Sequence, residues 1–306
     1  MNPDSPDYPI PRRLNVALAF LAAVAAMALL RLASRAPNAG TILACAAGFS
    51  LVNNTLFSLL HEATHGIFHP SSAVNAAFGR WLAAFFPTSF TLQRFFHLGH
   101  HRRNRSPAER FDYLSPGENR WIKYIQWYGL LTGLYWLMPP LSGVIYFFAP
   151  AAFSSRVFQG EGAQWSRQSG TDAMVADVDR LPRGTVRGEI AFVVLWQAGM
   201  FWALGLTPTG WLACYGAFAL AWSALQYADH AWSPLDPLRG AWNLRVNPVT
   251  KAFFLNYHDH LAHHEDPKIP WIHLPRRVDP RLPRPSFLSI YLRMWKGPRP
   301  LPADPQ

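Results

Sequence analysis

Four stretches of this chain are long and apolar enough to cross about 30 Å of hydrocarbon, and no other feature restricts its fold so strongly. They run over about 14–30, 41–60, 190–206 and 211–227. Inside a bilayer every backbone N–H and C=O has to be satisfied by the chain itself, so such stretches are expected to be helices. The joins Arg31 to Gly40 and Thr207 to Gly210 are short, which pairs the four spans as two helical hairpins. The first stretch does not read as a signal peptide, because no small-residue cleavage site follows it and a second span comes at once.

Composition supports a membrane location. Half of the residues are hydrophobic and only 15% are charged, against about 25% in an ordinary soluble domain. This excludes a disordered chain and a coiled coil. The formal net charge is +10, and 24 of the 28 cations are Arg. Arg31 and Arg35 are the only cations in the joins between spans. The other basic segments are therefore expected on the cytoplasmic side, which is the inner membrane's inner face in a bacterium. No groove-reading motif accompanies the basic residues, so nucleic acid is not an expected partner. Cys45 and Cys214 are too few for a disulfide framework or a Cys-rich zinc site and are expected to be buried as small hydrophobes.

A fifth apolar stretch, Trp121 to Pro150, contains Pro139-Pro140. It is too short for two crossings of about 20 residues each. One crossing would put the His-rich segments on opposite sides of the membrane. A re-entrant or interfacial hairpin turning at the two prolines is expected, with Trp121, Trp127, Tyr128, Tyr135 and Trp136 at interfacial depth. The segment from Phe153 to Arg187 reads as a solvated connection, and the tail from Pro298 to Gln306 as frayed. The expected fold is thus an all-α integral membrane protein with four transmembrane helices in two hairpins, re-entrant or interfacial helices, and a cytoplasmic helical cap. Residues 1–13 form an N-terminal cytoplasmic arm, 14–280 the membrane domain, and 281–306 a C-terminal segment and tail.

The twelve histidines are not scattered. His61 and His65 stand four apart at the end of the second span. His97, His100 and His101 form one triplet, and His260, His263 and His264 another with the same spacing. On a helix, positions i, i+3 and i+4 share a face, so each group is expected to point its imidazoles one way. His230 follows the fourth span, with Gln226 one turn earlier. Neutral imidazole is a common ligand of Fe, Zn, Cu and Ni. Two metals with four or five ligands each need about eight to ten donors, and these groups supply nine. His69, His258 and His273 are left over.

The boxes HxxxH, HxxHH and HxxHH, in this order and with a hairpin between the last two, closely resemble the membrane-bound fatty acid desaturase family. Its relatives include histidine-box hydroxylases and ketolases. The resemblance runs from His61 to about Pro270 and includes the Pro267 to Trp271 stretch after the third box. It implies a centre of two Fe2+ ions held by His61, His65, His97, His100, His101, His230, His260, His263 and His264. It also implies O2-dependent oxidation of an unactivated C–H bond in a lipid alkyl chain, with desaturation ahead of hydroxylation or ketolation. Gln226, Glu62, Asp112, Asp229, Asp259 and Glu265 lie beside the boxes as candidates to orient ligand imidazoles. Trp81, Phe85, Phe86, Phe90, Phe95 and Phe96 are candidates to line the alkyl chain's path, although core packing is the commoner job of such side chains. No flavin or dinucleotide motif is present, so a separate donor is implied: a ferredoxin, a rubredoxin or a cytochrome b5-like carrier, steered by the arginine excess.

Two readings from other classes compete. His61-Glu62-Ala63-Thr64-His65 also spells HExxH, the zinc metalloprotease motif, with Glu62 as base and Asp236 as a conceivable further ligand. That reading leaves both triplets without a job. A metal transporter would place its ligands along a path near mid-membrane, whereas these histidines gather at one rim.

Overall fold

The computed structural model describes residues 7–160 and 163–302. Residues 1–6 of the arm expected at 1–13, and the end of the tail, 303–306, lie outside the described residues, and the arm's last two residues, Arg12 and Arg13, already belong to the first helix. Helix α1 (Arg12–Ser34) buries Ala19, Ala22, Ala23, Ala26, Leu30 and Ala33. These small side chains at helical spacing let α2 (Ala39–His65) approach closely along its length. Asn38 caps α2 by accepting from the Thr41 N–H. Gly66, at φ 76°, ends it in the left-handed conformation that only Gly adopts freely. The helix therefore stops at His65, and the first histidine box occupies its C-terminal end.

Helices α3 (Ser72–Phe85) and α4 (Phe90–Arg103) follow, each started by a serine cap. A two-residue strand β1 (Tyr113–Leu114) precedes α5 (Arg120–Leu131) and α6 (Met138–Phe148). Where a re-entrant or interfacial hairpin was expected, α5 and the helical segment after it meet at 91°, a right-angle bend. The turn is not at the prolines. Gly133, at φ 85°, makes it, and a Cβ there would come within 2.9 Å of the Leu220 backbone. Pro139 and Pro140 lie in the first turn of α6, where a missing N–H costs nothing. Nor is the aromatic set interfacial throughout. Trp121 is 69% exposed, but Trp127 is fully buried and donates to Met294 O.

The segment expected to be a solvated connection holds two short helices, α7 (Gln164–Gln168) and α8 (Thr171–Val175). Phe153, Val175, Val178 and Val186 pack with Leu92 and Tyr146 into a small core of their own. The polar residues between them hid that core from a reading by average polarity. Next come α9 (Arg183–Leu204), α10 (Pro208–Ala228), α11 (Pro248–Phe253), α12 (His260–Glu265) and α13 (Phe287–Met294). Strand β2 (Arg299–Pro300) pairs in parallel with β1. The start of the expected frayed tail is therefore fastened, and Arg299 lies 4.0 Å over the Trp232 ring.

The main core lies among α1, α2, α3 and α10, around Phe49, Phe57, Leu59, Phe85, Phe86, Phe218 and Trp222. Cys45 and Cys214 are buried there and free. A second core joins Trp127, Leu131, Tyr227 and Leu244 to Ile290 and Met294 of α13. About two thirds of the residues are helical, and among the described residues the only strands are the two-residue β1 and β2. By length and apolarity α1 and α2 qualify as membrane spans, and the bent α5–α6 pair makes a third if it is one span. The other two expected spans fall below the same measure: α9 through residues such as Arg187, Glu189 and Gln197, and α10 through its Trp, Tyr, Ser and Gln residues.

Candidate metal centre

The ends of α2, α4, α10 and α12 meet at one place. There the imidazoles fall into two groups whose ring nitrogens lie within 4.8 Å of one another, a spacing that suits a single metal ion in each. His61, His65, His97, His101 and His263 form the first, and His100, His230, His260 and His264 the second. The groups abut: the His101 and His264 ring centroids are 4.4 Å apart. His69, His258 and His273 stand outside both. His69 accepts from the Ser71 N–H and His273 faces Pro9 O.

The triplets do not point all three rings one way, as expected from shared faces. In both, the i and i+4 rings stay together and the i+3 ring crosses to the other group. His97 and His101 join the first group and His100 the second; His260 and His264 join the second and His263 the first. The helix itself explains this. At about 100° per residue, i+4 lies about 40° to one side of i and i+3 about 60° to the other. A triplet facing a seam between two sites therefore serves both.

These contacts do not make a self-sufficient hydrogen-bond network. His97 Nε2 is 2.7 Å from His65 Nε2 and 3.1 Å from His101 Nε2, which in turn is 3.1 Å from His263 Nε2. A ring nitrogen carries either one proton or one lone pair, so such a chain leaves positions unsatisfied. His61 Nε2 is buried with no partner at all. A cation at the centre of each group takes every lone pair at once. The outer nitrogens agree with that: His230 Nδ1–H donates to Gly240 O at 2.8 Å and His100 Nδ1–H to Glu109 Oε2 at 2.6 Å. Each of these bonds leaves the Nε2 lone pair facing inward.

Burial, with the charges of neighbouring imidazoles, lowers the pKa of His97, His230, His260, His263 and His264 well below the ordinary value. His101 is pushed down to about 3 by the same causes. These six rings are thus neutral and ligand-ready at pH 7. A lowered folded value means that the unfolded chain takes up protons first on acidification. This contribution to stability is complete above about pH 6.5 and is lost as the pH falls toward 3. The metal-free protein in detergent is expected to lose melting temperature steadily below about pH 6.5. A melting temperature flat from pH 6.5 to 4 would contradict a cluster of neutral buried rings.

Of the carboxylates and amides beside the boxes, none of the six accepts a ligand ring N–H within hydrogen-bond distance. Glu62 accepts from the Trp271 backbone N–H, and Gln226 Oε1 from the Tyr257 hydroxyl. Asp112 holds Arg105 through two bonds and accepts from Tyr227 and the Trp232 N–H. Asp259 accepts from Arg284, and Glu265 is exposed. Asp229 is fully buried and neither of its oxygens has a hydrogen-bond partner. Glu109, which sequence reasoning missed, is the carboxylate that orients a ring. It lies in a loop nine residues from His100, with no periodicity to announce it, and Arg103 holds its other oxygen. Glu109→Ala is expected to weaken metal binding by about tenfold to a hundredfold, read as metal retained after dialysis. Unchanged retention would remove Glu109 from this role.

Asp236 is in neither group, and its Oδ1 accepts from the Leu238 and Arg239 N–H groups of its own turn. The zinc-protease reading thus lacks its further ligand, while His61 and His65 are absorbed into a five-histidine group. Of the aromatic candidates for a substrate path, Phe85, Phe86 and Phe90 belong to the main core. A small cavity lined by Ser58, His61, Glu62, Tyr257, His260, His263 and Trp271 touches both histidine groups.

No curated protein matches the chain in a search of such proteins. The family model for fatty acid desaturases matches residues 36–295, a span that takes in α2, α10 and all three histidine boxes. The nine converging imidazoles and that match lead to one conclusion: this chain belongs to the fatty acid desaturase family, the membrane-bound enzymes with histidine boxes.

Proposed function

We propose that this protein is an O2-dependent desaturase of a lipid acyl chain, with two iron ions held by the nine histidines. The observation that carries the reading is the convergence of those histidines into adjoining groups of five and four. Iron bound there would supply the activation of O2 and the removal of hydrogen from an unactivated methylene. The protein's part is to fix geometry and exclude water. Glu109 and Gly240 O hold the His100 and His230 rings with Nε2 inward. Tyr257, whose ring centroid is 5.0 Å from those of His61 and His260, walls the small cavity with Leu255, Trp271 and Leu274. No group on this chain needs to act as a nucleophile.

The membrane arrangement follows in this reading. Four helices cross: α1, α2, α9 and α10. Leu21, Val24, Leu43, Val194, Leu195, Trp202 and Leu212 are large apolar side chains exposed on them, which suits contact with lipid rather than water. The loops Arg35 to Asn38 and Gly205 to Thr207 face outward, and the metal centre lies on the cytoplasmic side. Residues 14–280 act as one catalytic unit, and the segment from 281 straps it through α13 and β2. Electrons come from a separate acidic carrier, a ferredoxin, a rubredoxin or a cytochrome b5-like protein, attracted by the basic face.

Metal analysis of protein purified from iron-supplemented cells, with mass-spectrometric lipid profiles of the same cells, tests this. About two iron ions per chain and new double bonds in acyl chains are expected; zinc in the same amount would still report two sites, because N-donor sites favour zinc over Fe(II). Folded protein that holds no metal would overturn the assignment. Hydroxylated in place of unsaturated lipid would keep the centre and change the outcome of the reaction. Glu62→Gln is expected to retain turnover, since its side-chain oxygen can still accept from Trp271. Loss of all activity with both metals retained would revive a role for Glu62 as a base.

A further inference from the structure

Asp229 is the most anomalous polar group in the molecule. It follows α10 directly, is 0% exposed, and leaves both carboxylate oxygens without a hydrogen-bond donor. The other buried carboxylates all have donors: Glu62, Glu109, Asp112, Glu189 and Asp259 each accept at least one bond. A buried, unpartnered carboxylate is strongly disfavoured, so the group is held either as the neutral acid or beside a cation. The nearest groups are ring nitrogens of the four-histidine group: Asp229 Oδ2 is 3.6 Å from His260 Nε2, and Oδ1 is 3.8 Å from His230 Nε2. Two donors on one ion with bonds of about 2.1 Å stand about 3 to 4.2 Å apart; both distances fall in that range, each from a different oxygen, and since Asp229 is not among the donors that all lie within 4.8 Å of one another, it approaches the group from its His230–His260 side. One further fact agrees: the four-histidine group has one ligand fewer than its neighbour.

We propose that Asp229 is the anionic ligand that completes the four-histidine site, so that the two metal sites differ: five imidazoles in one, four imidazoles and a carboxylate in the other. The inference rests on the two-metal reading above and adds to it. A carboxylate lowers the net charge of its site and makes the ion there harder to reduce than its all-imidazole neighbour. Two ions bound there would then be distinguishable by their ligand sets.

The test uses the full chain in detergent, stripped of metal and titrated with Co2+, whose visible absorption reports coordination. Wild type is expected to fill two sites. Asp229→Asn keeps the shape and removes the charge. It should fill the first site normally and bind the second Co2+ about tenfold to a hundredfold more weakly, with an altered absorption band for that ion alone. Melting of the same samples supplies a second readout. Without metal, Asp229→Asn should melt no lower than wild type, because an unpartnered carboxylate has been removed; with excess Co2+ it should gain less than wild type does. Two normal sites and an unchanged spectrum in the variant would overturn this proposal and leave the two-metal reading intact. A lower melting temperature without metal, with normal Co2+ binding, would overturn it too, by giving Asp229 a purely structural part. Failure of wild type to take up two Co2+ would overturn both.

Discussion

His100→Ala and His263→Ala are each expected to abolish lipid oxidation and to lower bound iron from about two ions per chain to about one. The two variants should empty different sites. His263 belongs to the five-histidine group and His100 to the four-histidine group, although each is the i+3 member of its box. The double variant should retain almost no metal. His69→Ala and His273→Ala are the controls, because both rings lie outside the groups and near the surface. They should keep full activity and iron. Elemental analysis and lipid profiling decide the matter. Wild-type metal and activity in His100→Ala would sink the assignment of the four-histidine site.

Asp112→Ala is expected to cost about 3 to 5 kcal/mol of stability, because it strands a buried guanidinium. Arg105 and Asp112 are 1% and 0% exposed and meet through two bonds of 2.9 Å. Arg105 also donates to Ser233 O and to the Tyr227 hydroxyl, and Asp112 accepts from the Trp232 N–H. This knot ties the loop after α4 to the end of α10, and so fixes His100 and His101 relative to His230. Thermal unfolding in detergent reads the loss, and reduced accumulation in the membrane should accompany it. A change below about 1 kcal/mol would place the pair among ion pairs that contribute little. Replacing both Arg105 and Asp112 by apolar residues should cost less than removing Asp112 alone, since no charge is then left unpartnered.

The two predictions mark where local sequence and tertiary structure divide the work. Histidines spaced by three and four are a local property, because helix geometry alone brings their rings to one side. The apolar runs of α1 and α2, a break between α5 and α6, and the clustering of the boxes were legible for the same reason: hydrophobic period and length report on a single helix without its neighbours. The chain's basic, apolar, tryptophan-rich composition added the membrane.

What needed the fold was every relation between elements. Reading each triplet as one face put three rings in one site, whereas the seam between α4 and α12 sends the i+3 ring of each to the other site. Glu109 orients His100 and Arg105 meets Asp112 from loop residues, where no period exists to betray a partner. Pro139 and Pro140 read as a break because proline lacks an N–H, but at a helix start that N–H has no partner to lose, and the bend moved to Gly133, which lies against the α10 backbone. The sequence by itself therefore determined which residues are spaced to hold metal and that the chain has spans apolar enough for a membrane. The tertiary structure alone decided how nine imidazoles divide between two sites and left Asp229 facing the smaller one. Ligand identity is a matter of side-chain type and local spacing, but the partition of ligands depends on which helices pack together and at what angle.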